Sequence, residues 1–285
     1  MADIRKINPV IIVLIYIMVF VFTILAVYPI LWTIIQSFKT TQDYMLNSKL
    51  ALPEEWYWQN YRQTWNSGRP LDIRFEWMIG NSIFYTAVTV FAQIILSFMA
   101  GFAFAKLPSK LTPFIHGSFI IGILLTLQSI MIPLFLMVNA AGLYNTRLGV
   151  LIPYIGLALP FGVYLSTEYI KAIPDSVVES ARIDGARYFR IFTSIIMPMA
   201  APVAVTVAIL GVTRTWNEFM LINILVSSNA LKSLPVGIQT FSGQLASDFG
   251  KLFSSLVIGM LPMVIFYFIF RKQITKGVSA GAVKG

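Results

Sequence analysis

The chain has 285 residues, of which 57% are hydrophobic and only 12% are charged, and its formal net charge is +9. Because about a quarter of the residues of a soluble domain are charged, this composition excludes a soluble globule and indicates a protein of the lipid bilayer. The absence of cysteine excludes disulfide bonds and thiolate metal sites. The excess of lysine and arginine is typical of topology-setting membrane loops, and no nucleic-acid partner is expected.

Six apolar stretches are each near or above the roughly 20 residues that a spanning helix needs. They are Ile7–Phe38, Trp77–Ala105, Leu111–Thr146, Leu148–Thr167, Ile191–Thr213 and Leu252–Phe270. We therefore predict an all-α membrane protein with six transmembrane helices. The first stretch is too long for a signal peptide and lacks a small-residue cleavage site, so we expect it to remain as helix one.

The distribution of positive charge predicts that both termini are cytoplasmic, because lysine and arginine collect on that side of a membrane. With this orientation the inner segments carry Arg5, Lys6, Lys106, Lys110, Lys171, Arg182, Arg187, Arg190, Arg271, Lys272, Lys276 and Lys284. The short outer segments carry only Arg147, Lys232 and Lys251. The longer outer segment, residues 39–76, has balanced charge and many aromatic residues. It fits a cap on the membrane surface or a docking surface for an external partner, and the cap is the simpler interpretation.

The stretch ESARIDGARYFRIFTSIIMP, Glu179–Pro198, is unusually polar for its position between two apolar runs. Gly185 suits the left-handed residue that ends a helix, and Asp184 is expected to cap a second helix that starts near Ala186. We therefore predict two short helices that meet at a tight corner on the cytoplasmic side. From the residues alone, a docking element and a passive hairpin under the bilayer remain equally open.

The start of the first of these helices also carries a local signal. Asp175 or Ser176 follows Pro174 and is expected to cap the helix, while Ser176 and Glu179 have the spacing of a capping box. In that arrangement the Glu179 carboxylate would bond to a backbone amide at the start of its own helix.

The stretch resembles the signature loop of ATP-binding-cassette (ABC) importer permeases, in which Glu-Ala-Ala, three residues and Gly precede a distal Ile-x-x-x-Pro. The chain keeps Glu179, Ala181, Asp184, Gly185, Ala186, Phe192 and Pro198, and it has Ser180 where the pattern has an alanine. Four further motifs are similar to the second permease subunit of the maltose-type, oligosaccharide-importing branch. They are Gly142–Thr146, Leu159–Phe161, Trp216–Phe219 and Ala280–Gly285.

The resemblance implies the type I importer fold, with one permease domain over residues 1–285 in the bacterial cytoplasmic (inner) membrane. Its core would cover about 77–270, its external loop 39–76 and its coupling loop 168–198. The implied partners are a homologous second permease subunit, two ATPase subunits, an external solute-binding protein, lipid and a sugar substrate. The implied roles at the ATPase contact are polar anchors, close-approach positions and packing of the corner. The anchors would be Glu179 and Asp184, the close-approach positions Ser180, Ala181 and Gly185, and the packing residues Ala186 and Phe192, with Pro198 at the entry to helix five.

No G-x-x-x-x-G-K-[ST] phosphate loop occurs in the sequence. We therefore expect a non-catalytic subunit without catalytic or metal-binding residues and without a cofactor of its own. ATP and Mg²⁺ would be bound by the partner ATPase.

Polar residues inside the spans are costly unless they face a cavity or a partner, so they are candidates for a substrate path. They are Gln93, Gln128, Arg214, Trp216, Asn217 and Glu218. Arg214 and Glu218, four positions apart, could instead simply pair with each other on one helix. By resemblance, the outer loop at about Ser227–Gly250 would contact the external binding protein through Ser242, Gly243 and Gln244.

Three functions follow from these observations. The first is a permease subunit of an ATP-driven sugar importer. The second is a secondary transporter, which would be expected to have ionisable groups near the midplane and usually more than six spans. The third is an importer permease of the same architecture for another solute, such as an amino acid or a phosphate derivative.

Overall fold

The structure is a computed structural model that describes residues 9–66, 75–242 and 248–282. Within these ranges the regular structure is helical, which confirms the all-α prediction. The chain divides into two compact units, one formed by Met1–Ser67 and Ile238–Leu261 and the other by Gly68–Gly237 and Pro262–Gly285. We refer to them as the first and second unit.

The described residues form fourteen α-helices. Their bounds are α1 Pro9–Gln36, α2 Thr41–Leu46, α3 Gln59–Trp65, α4 Phe75–Lys106, α5 Thr112–Leu124, α6 Leu127–Ala140, α7 Arg147–Lys171, α8 Asp175–Ile183, α9 Tyr188–Ile191, α10 Met197–Met199, α11 Ala201–Trp216, α12 Met220–Leu225, α13 Leu234–Thr240 and α14 Phe249–Ala282. A π-helical turn, Phe192–Ile196, follows α9, and a 3₁₀ turn, Asn229–Leu231, precedes α13.

Four described helices, α1, α4, α7 and α14, are long and apolar enough to cross a membrane. Two further candidate spans are broken: α5 and α6 meet at 112°, and the helical stretch Tyr188–Met199 meets α11 at 76°. The second break falls at Ala200, between Pro198 and Pro202, which both lack the N–H group that continues a helical ladder. The described residues thus contain four spans, or up to six if each bent pair counts as one.

In the second unit, α4 packs closely along α7 through small residues. A Cβ atom at Gly101 would collide with Ser166, and one at Gly162 would collide with Ser97. The Ser166 hydroxyl donates to the Ser97 carbonyl oxygen at 2.7 Å. Small residues are what allow two helices in a membrane to approach this closely.

The Gly142–Thr146 motif shapes the connection from α6 to α7. Asn145 has a positive φ of 58°, which asparagine tolerates better than most residues. Its side-chain oxygen accepts from the amides of Ser227 and Ser228, at 3.1 and 2.9 Å. The Thr146 hydroxyl accepts from the Gly149 amide at 3.0 Å and caps α7. The motif therefore joins α7 to the segment that follows α12.

The first unit contains α1, an apolar helix in which only Gln36 is buried, and the described part of the predicted outer loop. Asn60 donates to the carbonyl oxygens of Ser37 and Lys39, at 2.9 and 2.8 Å. Trp56 and Trp58 each make a T-shaped ring contact with Phe38, with centroids 5.2 and 4.5 Å from that of the Phe38 ring. The outer loop is thus a folded structure rather than a flexible connection over its described residues.

Candidate functional site

The polar stretch forms a helical corner, which we define as residues 175–191 and call the corner. Its first helix, α8, ends at Ile183 with Asp184 as the C-cap residue, and Gly185 follows with a φ of 80°. The Gly185 amide donates to the Arg182 carbonyl oxygen at 3.0 Å, and the Ala186 amide donates to that of Ala181 at 2.9 Å. These two bonds are a Schellman motif. The prediction that Gly185 closes the first helix in the left-handed conformation is confirmed.

The two predicted caps of the corner are wrong. Helix α8 begins at Asp175 after Pro174, and no side chain caps it. Ser176 lies inside the helix, where its carbonyl oxygen accepts from the Ser180 hydroxyl at 2.7 Å. The capping box does not form because the helix starts one residue before Ser176, with the Asp175 carboxylate directed at a lysine of another helix.

The second helix of the corner begins at Tyr188 rather than near Ala186, and Asp184 does not cap it. The Schellman turn uses Gly185 and Ala186, and Arg187 is extended at the N-cap without a side-chain hydrogen bond. Asp184 is instead the C-cap residue of α8.

The inner face of the corner is buried against the second unit's helices. Val178, Ala181 and Ile191 belong to one apolar cluster with Phe98 and Phe102 of α4, which also contains Ile170, Ile173, Phe192 and Ile196. The rings of Phe102 and Phe192 are 5.7 Å apart. Burial of a large apolar side chain contributes about 1.5–3 kcal/mol, so several such contacts fix the corner to α4 and α7.

Lys106 joins the corner to the end of α4. Its ammonium group forms an ion pair of 2.6 Å with Asp175 and also donates to the Ile173 carbonyl oxygen. The lysine side chain is 3% exposed, whereas that of Asp175 is 76% exposed. From the sequence, Lys106 was counted only among the charges that set the topology. Its pairing with Asp175 was missed because the two residues are 69 positions apart, so no local sequence pattern links them.

The outer face of the corner is exposed and mixes charge with apolar surface. Ile183 is 86% and Phe189 is 72% exposed, and the Arg182 guanidinium lies 5.1 Å from the centre of the Tyr188 ring. Of the residues predicted to contact an ATPase, five are exposed, one is half-buried and two are buried. The exposed ones are Glu179, Ser180, Asp184, Gly185 and Pro198, the half-buried one is Ala186, and the buried ones are Ala181 and Phe192.

The second unit also contains a cavity of about 380 Å³, bounded by residues of α4, α5, α6, α7 and α11. We call it the cavity. Its walls are mainly apolar, with side chains such as Ile123, Leu157, Phe161 and Leu210. Its polar side chains are those of Gln93, Tyr154, Arg214, Thr215 and Glu218.

Gln93 lies in the wall of the cavity and is 3% exposed. Its amide nitrogen donates to the Ala158 carbonyl oxygen at 2.9 Å, which orients the side chain. Its amide oxygen has no hydrogen-bond partner and faces Gly211, where a Cβ atom would collide with it. A buried acceptor without a hydrogen-bond partner is unusual in a protein.

Arg214 and Glu218 do not form the pair that their spacing suggested. Helix α11 ends at Trp216, so the two residues are not on one continuous helix. Arg214 donates to the Leu157 carbonyl oxygen at 2.7 Å. The Glu218 carboxylate accepts from the Tyr154 hydroxyl. It also accepts from the amides of the first turn of α12, those of Leu221 at 2.7 Å and Ile222 at 3.3 Å.

The remaining predicted path residues lie outside the lining of the cavity. Trp216 is buried, and Gln128 is exposed near the start of α6. Asn217 is exposed, and its side-chain amide donates to the Thr213 carbonyl oxygen at 2.8 Å. Sequence reasoning missed Tyr154, because a tyrosine in an apolar helix is by itself an ordinary residue. Of the predicted binding-protein contacts, Ser242 is exposed, and Gly243 and Gln244 lie outside the described residues.

The apolar helices define a membrane protein, and a comparison with protein families gives its class. The family described as "Binding-protein-dependent transport system inner membrane component" matches residues 5–280, and the chain belongs to this family. The family description places its members in the inner membrane, in agreement with the apolar helices above.

Relatives of known description cover nearly the whole chain. The multiple sugar-binding transport system permease protein MsmG of Streptococcus mutans is 34% identical over 94% of this chain and 96% of its own. The trehalose transport system permease protein SugB of Mycobacterium tuberculosis is 31% identical over 91% of this chain and 93% of its own.

A solved structure shares the fold. It is a chain of a bacterial ABC transporter involved in the import of the acidic polysaccharide alginate, with a TM-score of 0.82 at 21% identity. The similarity covers 95% of this chain and 98% of that chain.

Proposed function

We propose that the chain is a membrane-spanning permease subunit of an ATP-driven, binding-protein-dependent importer of carbohydrates, with oligosaccharides as the preferred class. The observation that carries the proposal is the corner, which is fixed to the helical core on one face and exposes charged and aromatic groups on the other. The family membership and the sugar-transport descriptions of MsmG and SugB support the carbohydrate class.

The proposed topology has six spans with both termini in the cytoplasm. Each bent helix pair then counts as one crossing, and the corner lies on the cytoplasmic side. The bias of lysine and arginine toward the inner segments supports this orientation.

The corner is the proposed contact for a separate ATPase subunit, which binds ATP and Mg²⁺. This chain is then a non-catalytic subunit that works with a homologous permease, two ATPase subunits and an external binding protein. Glu179 and Asp184 would contact the ATPase through their exposed carboxylates, while Ala181 and Phe192 keep the corner attached to α4. The segment around Ser242, Gly243 and Gln244 is the proposed contact for the binding protein.

The cavity is proposed to be the part of the substrate path that this subunit forms. Closure of the ATPase pair would displace the corner and, through its packing on α4 and α7, change access to the cavity. The ATPase shifts the permease between two conformations only to the extent that it binds the corner with different affinity in each. A stiff connection between the corner and the helices is needed for that difference to reach the cavity.

Reconstitution tests this function. The two permeases, the ATPase and the binding protein are incorporated into proteoliposomes, and uptake of labelled oligosaccharides is measured with and without ATP. ATP-dependent uptake that stops when this chain is omitted is the expected result. Uptake of an amino acid but no saccharide would replace the sugar assignment, and uptake driven by an ion gradient without ATP would contradict the function.

A further inference from the structure

We propose that residues 45–52, which we call the apolar turn, insert four large apolar side chains into the lipid leaflet at the C-terminal end of α1. The side chains are those of Met45, Leu46, Leu50 and Leu52, and each is at least 64% exposed. This leaflet is the outer one in the proposed topology. The proposal concerns lipid and not the sugar, so it goes beyond the proposed function and depends only on α1 being a membrane span.

Two side chains of α1 fix the depth of the apolar turn. The Trp32 ring nitrogen and the Gln36 side-chain amide both donate to the Lys49 carbonyl oxygen, each at 2.9 Å. Trp32 lies four residues before the end of α1, which is about 6 Å along the helix axis. Side chains of an α-helix lean toward its N-terminus, which here is toward the middle of the span. The backbone of the apolar turn therefore lies beside the last turn of α1 and not beyond its end.

Further hydrogen bonds hold the backbone of the apolar turn in place. The buried ammonium group of Lys39 donates to the Ser48 carbonyl oxygen at 3.0 Å, and the same oxygen accepts from the Ala51 amide at 3.1 Å. The Asn47 side chain donates to the Asp43 carboxylate at 3.0 Å. The exposed apolar side chains thus project from a fixed backbone rather than from a flexible loop.

Lipid is the occupant that fits this surface. Ile30 and Leu31, on the last turns of α1, are also exposed, so the apolar turn continues the apolar surface of a spanning helix at the same height. Trp32 is typical of this height, because tryptophan collects at the interface between lipid and water. A run of large apolar side chains on a water-facing surface is costly, and insertion into lipid removes that apolar area from water.

The charge of the apolar turn also fits lipid. Lys49 is the only charged residue among residues 45–52, so no carboxylate of this segment would repel the lipid phosphates. Its ammonium group lies 5.3 Å from the centre of the Tyr44 ring. A lysine at a membrane interface keeps its apolar stem among lipid and its ammonium group among the headgroups. Apolar residues with one cation are the composition of a segment that lies in the interface.

A spin label on the apolar turn tests the proposal, because its collisions with two reagents separate lipid, water and protein surroundings. Oxygen enters lipid, whereas the polar complex nickel ethylenediaminediacetate stays in water. The importer is assembled in lipid nanodiscs with Leu50→Cys as its only thiol. This chain contains no cysteine, and cysteine-free partner subunits are used. Collision rates are measured by electron paramagnetic resonance, and nitroxide-labelled lipids calibrate the depth.

We expect the label at residue 50 to lie below the lipid phosphates. Its ratio of oxygen to nickel collisions should exceed that at residue 55 about fivefold or more, because the polar complex is excluded from lipid. Glu55→Cys is the matched control, since Glu55 is exposed in the same loop and lies two residues before Tyr57. The Tyr57 amide donates to the Phe38 carbonyl oxygen, beyond the end of α1. Leu52→Cys is a second position and should behave like residue 50.

Two results would overturn the proposal. Equal collision ratios at residues 50, 52 and 55 would place the apolar turn in water. Few collisions with either reagent at residues 50 and 52 would place it against another subunit. Because the readout is access from lipid and not transport, either result would leave the proposed function standing, and that function is tested by uptake in the same complexes.

Discussion

Lys106 and Asp175 form an ion pair of 2.6 Å that joins the last turn of α4 to the first turn of α8. The same ammonium group donates to the Ile173 carbonyl oxygen, so it holds both the start of α8 and the connection before it. Helix α4 also contributes Gln93 to the cavity. The contact therefore connects the corner to a helix of the cavity wall.

Lys106→Met should reduce sugar uptake per ATP hydrolysed by about threefold or more. The apolar stem is kept, but the Ile173 carbonyl and Asp175 lose their shared donor, which costs on the order of 1 kcal/mol because Asp175 is largely solvated. Uptake and ATP hydrolysis are measured in the same proteoliposomes. Lys171→Met is the matched control, since Lys171 pairs with Glu168 within one exposed helix end at 2.7 Å. An equal effect of both changes would contradict a specific role of Lys106.

Gly185→Val should uncouple ATP hydrolysis from uptake while the spans still insert. The φ of 80° is strained for residues with a Cβ atom by roughly 1–2 kcal/mol, and β-branching adds to the strain. No atom would clash with the new Cβ, so the effect comes from the backbone of the turn. Gly185→Asn is the control, because asparagine tolerates this conformation, and it should retain most of the uptake. Normal coupled transport by the valine variant would argue against a stiff corner.

The features that were predicted correctly from the sequence are local ones. Four apolar runs correspond to α1, α4, α7 and α14, because length and hydrophobicity define a spanning helix within a few residues. The glycine in Glu179–Pro198 predicted the Schellman turn, because a positive φ at the end of a helix selects glycine.

The features that were missed depend on distant parts of the chain. The 112° bend between α5 and α6 is absent from the hydrophobic pattern, which continues through it. The caps of the corner were misassigned because Asp175 pairs with Lys106 of α4 and is not available as a local cap. The spacing of Arg214 and Glu218 implied that both lie on one helix. Helix α11 instead ends at Trp216, and the Glu218 carboxylate accepts from the Leu221 amide in the first turn of α12.

Tyr154 and Glu218 should show a favourable coupling energy on the order of 1 kcal/mol, as contacting residues do. Tyr154→Phe, Glu218→Gln and the double variant are compared by the free energy of unfolding in detergent. Because the Tyr154 hydroxyl donates to the carboxylate, the two single losses should add up to more than the loss in the double variant. A second cycle with Tyr164→Phe, an exposed tyrosine of the same helix, should give no coupling. Equal coupling in both cycles would exclude a direct contribution of this bond.

Asp248 should make the first unit sensitive to acid. Burial raises its pKa, but hydrogen bonds and charge from Lys251, with a hydrogen bond from Thr41, outweigh burial and lower the net pKa below the ordinary aspartate value. A lowered pKa stabilises the folded state fully above about pH 4, and that contribution is lost as the pH falls through the lowered pKa. The melting-temperature difference between the unchanged protein and Asp248→Asn should therefore shrink from pH 5 to pH 3. A constant difference would mean that the contact with Thr41 and Lys251 does not depend on the charge of Asp248.

Cross-linking of the corner to the ATPase tests the account most directly. The chain contains no cysteine, so Phe189→Cys introduces a single thiol at an exposed position of the corner. Trp58→Cys, exposed in the predicted outer loop, is the control. We predict that a short cross-linker with a maleimide at one end and a photoreactive diazirine at the other joins residue 189, and not residue 58, to an ATPase subunit in the assembled, transport-active importer. Failure of residue 189 to cross-link in every nucleotide state, while the importer still transports, would contradict transmission through the corner.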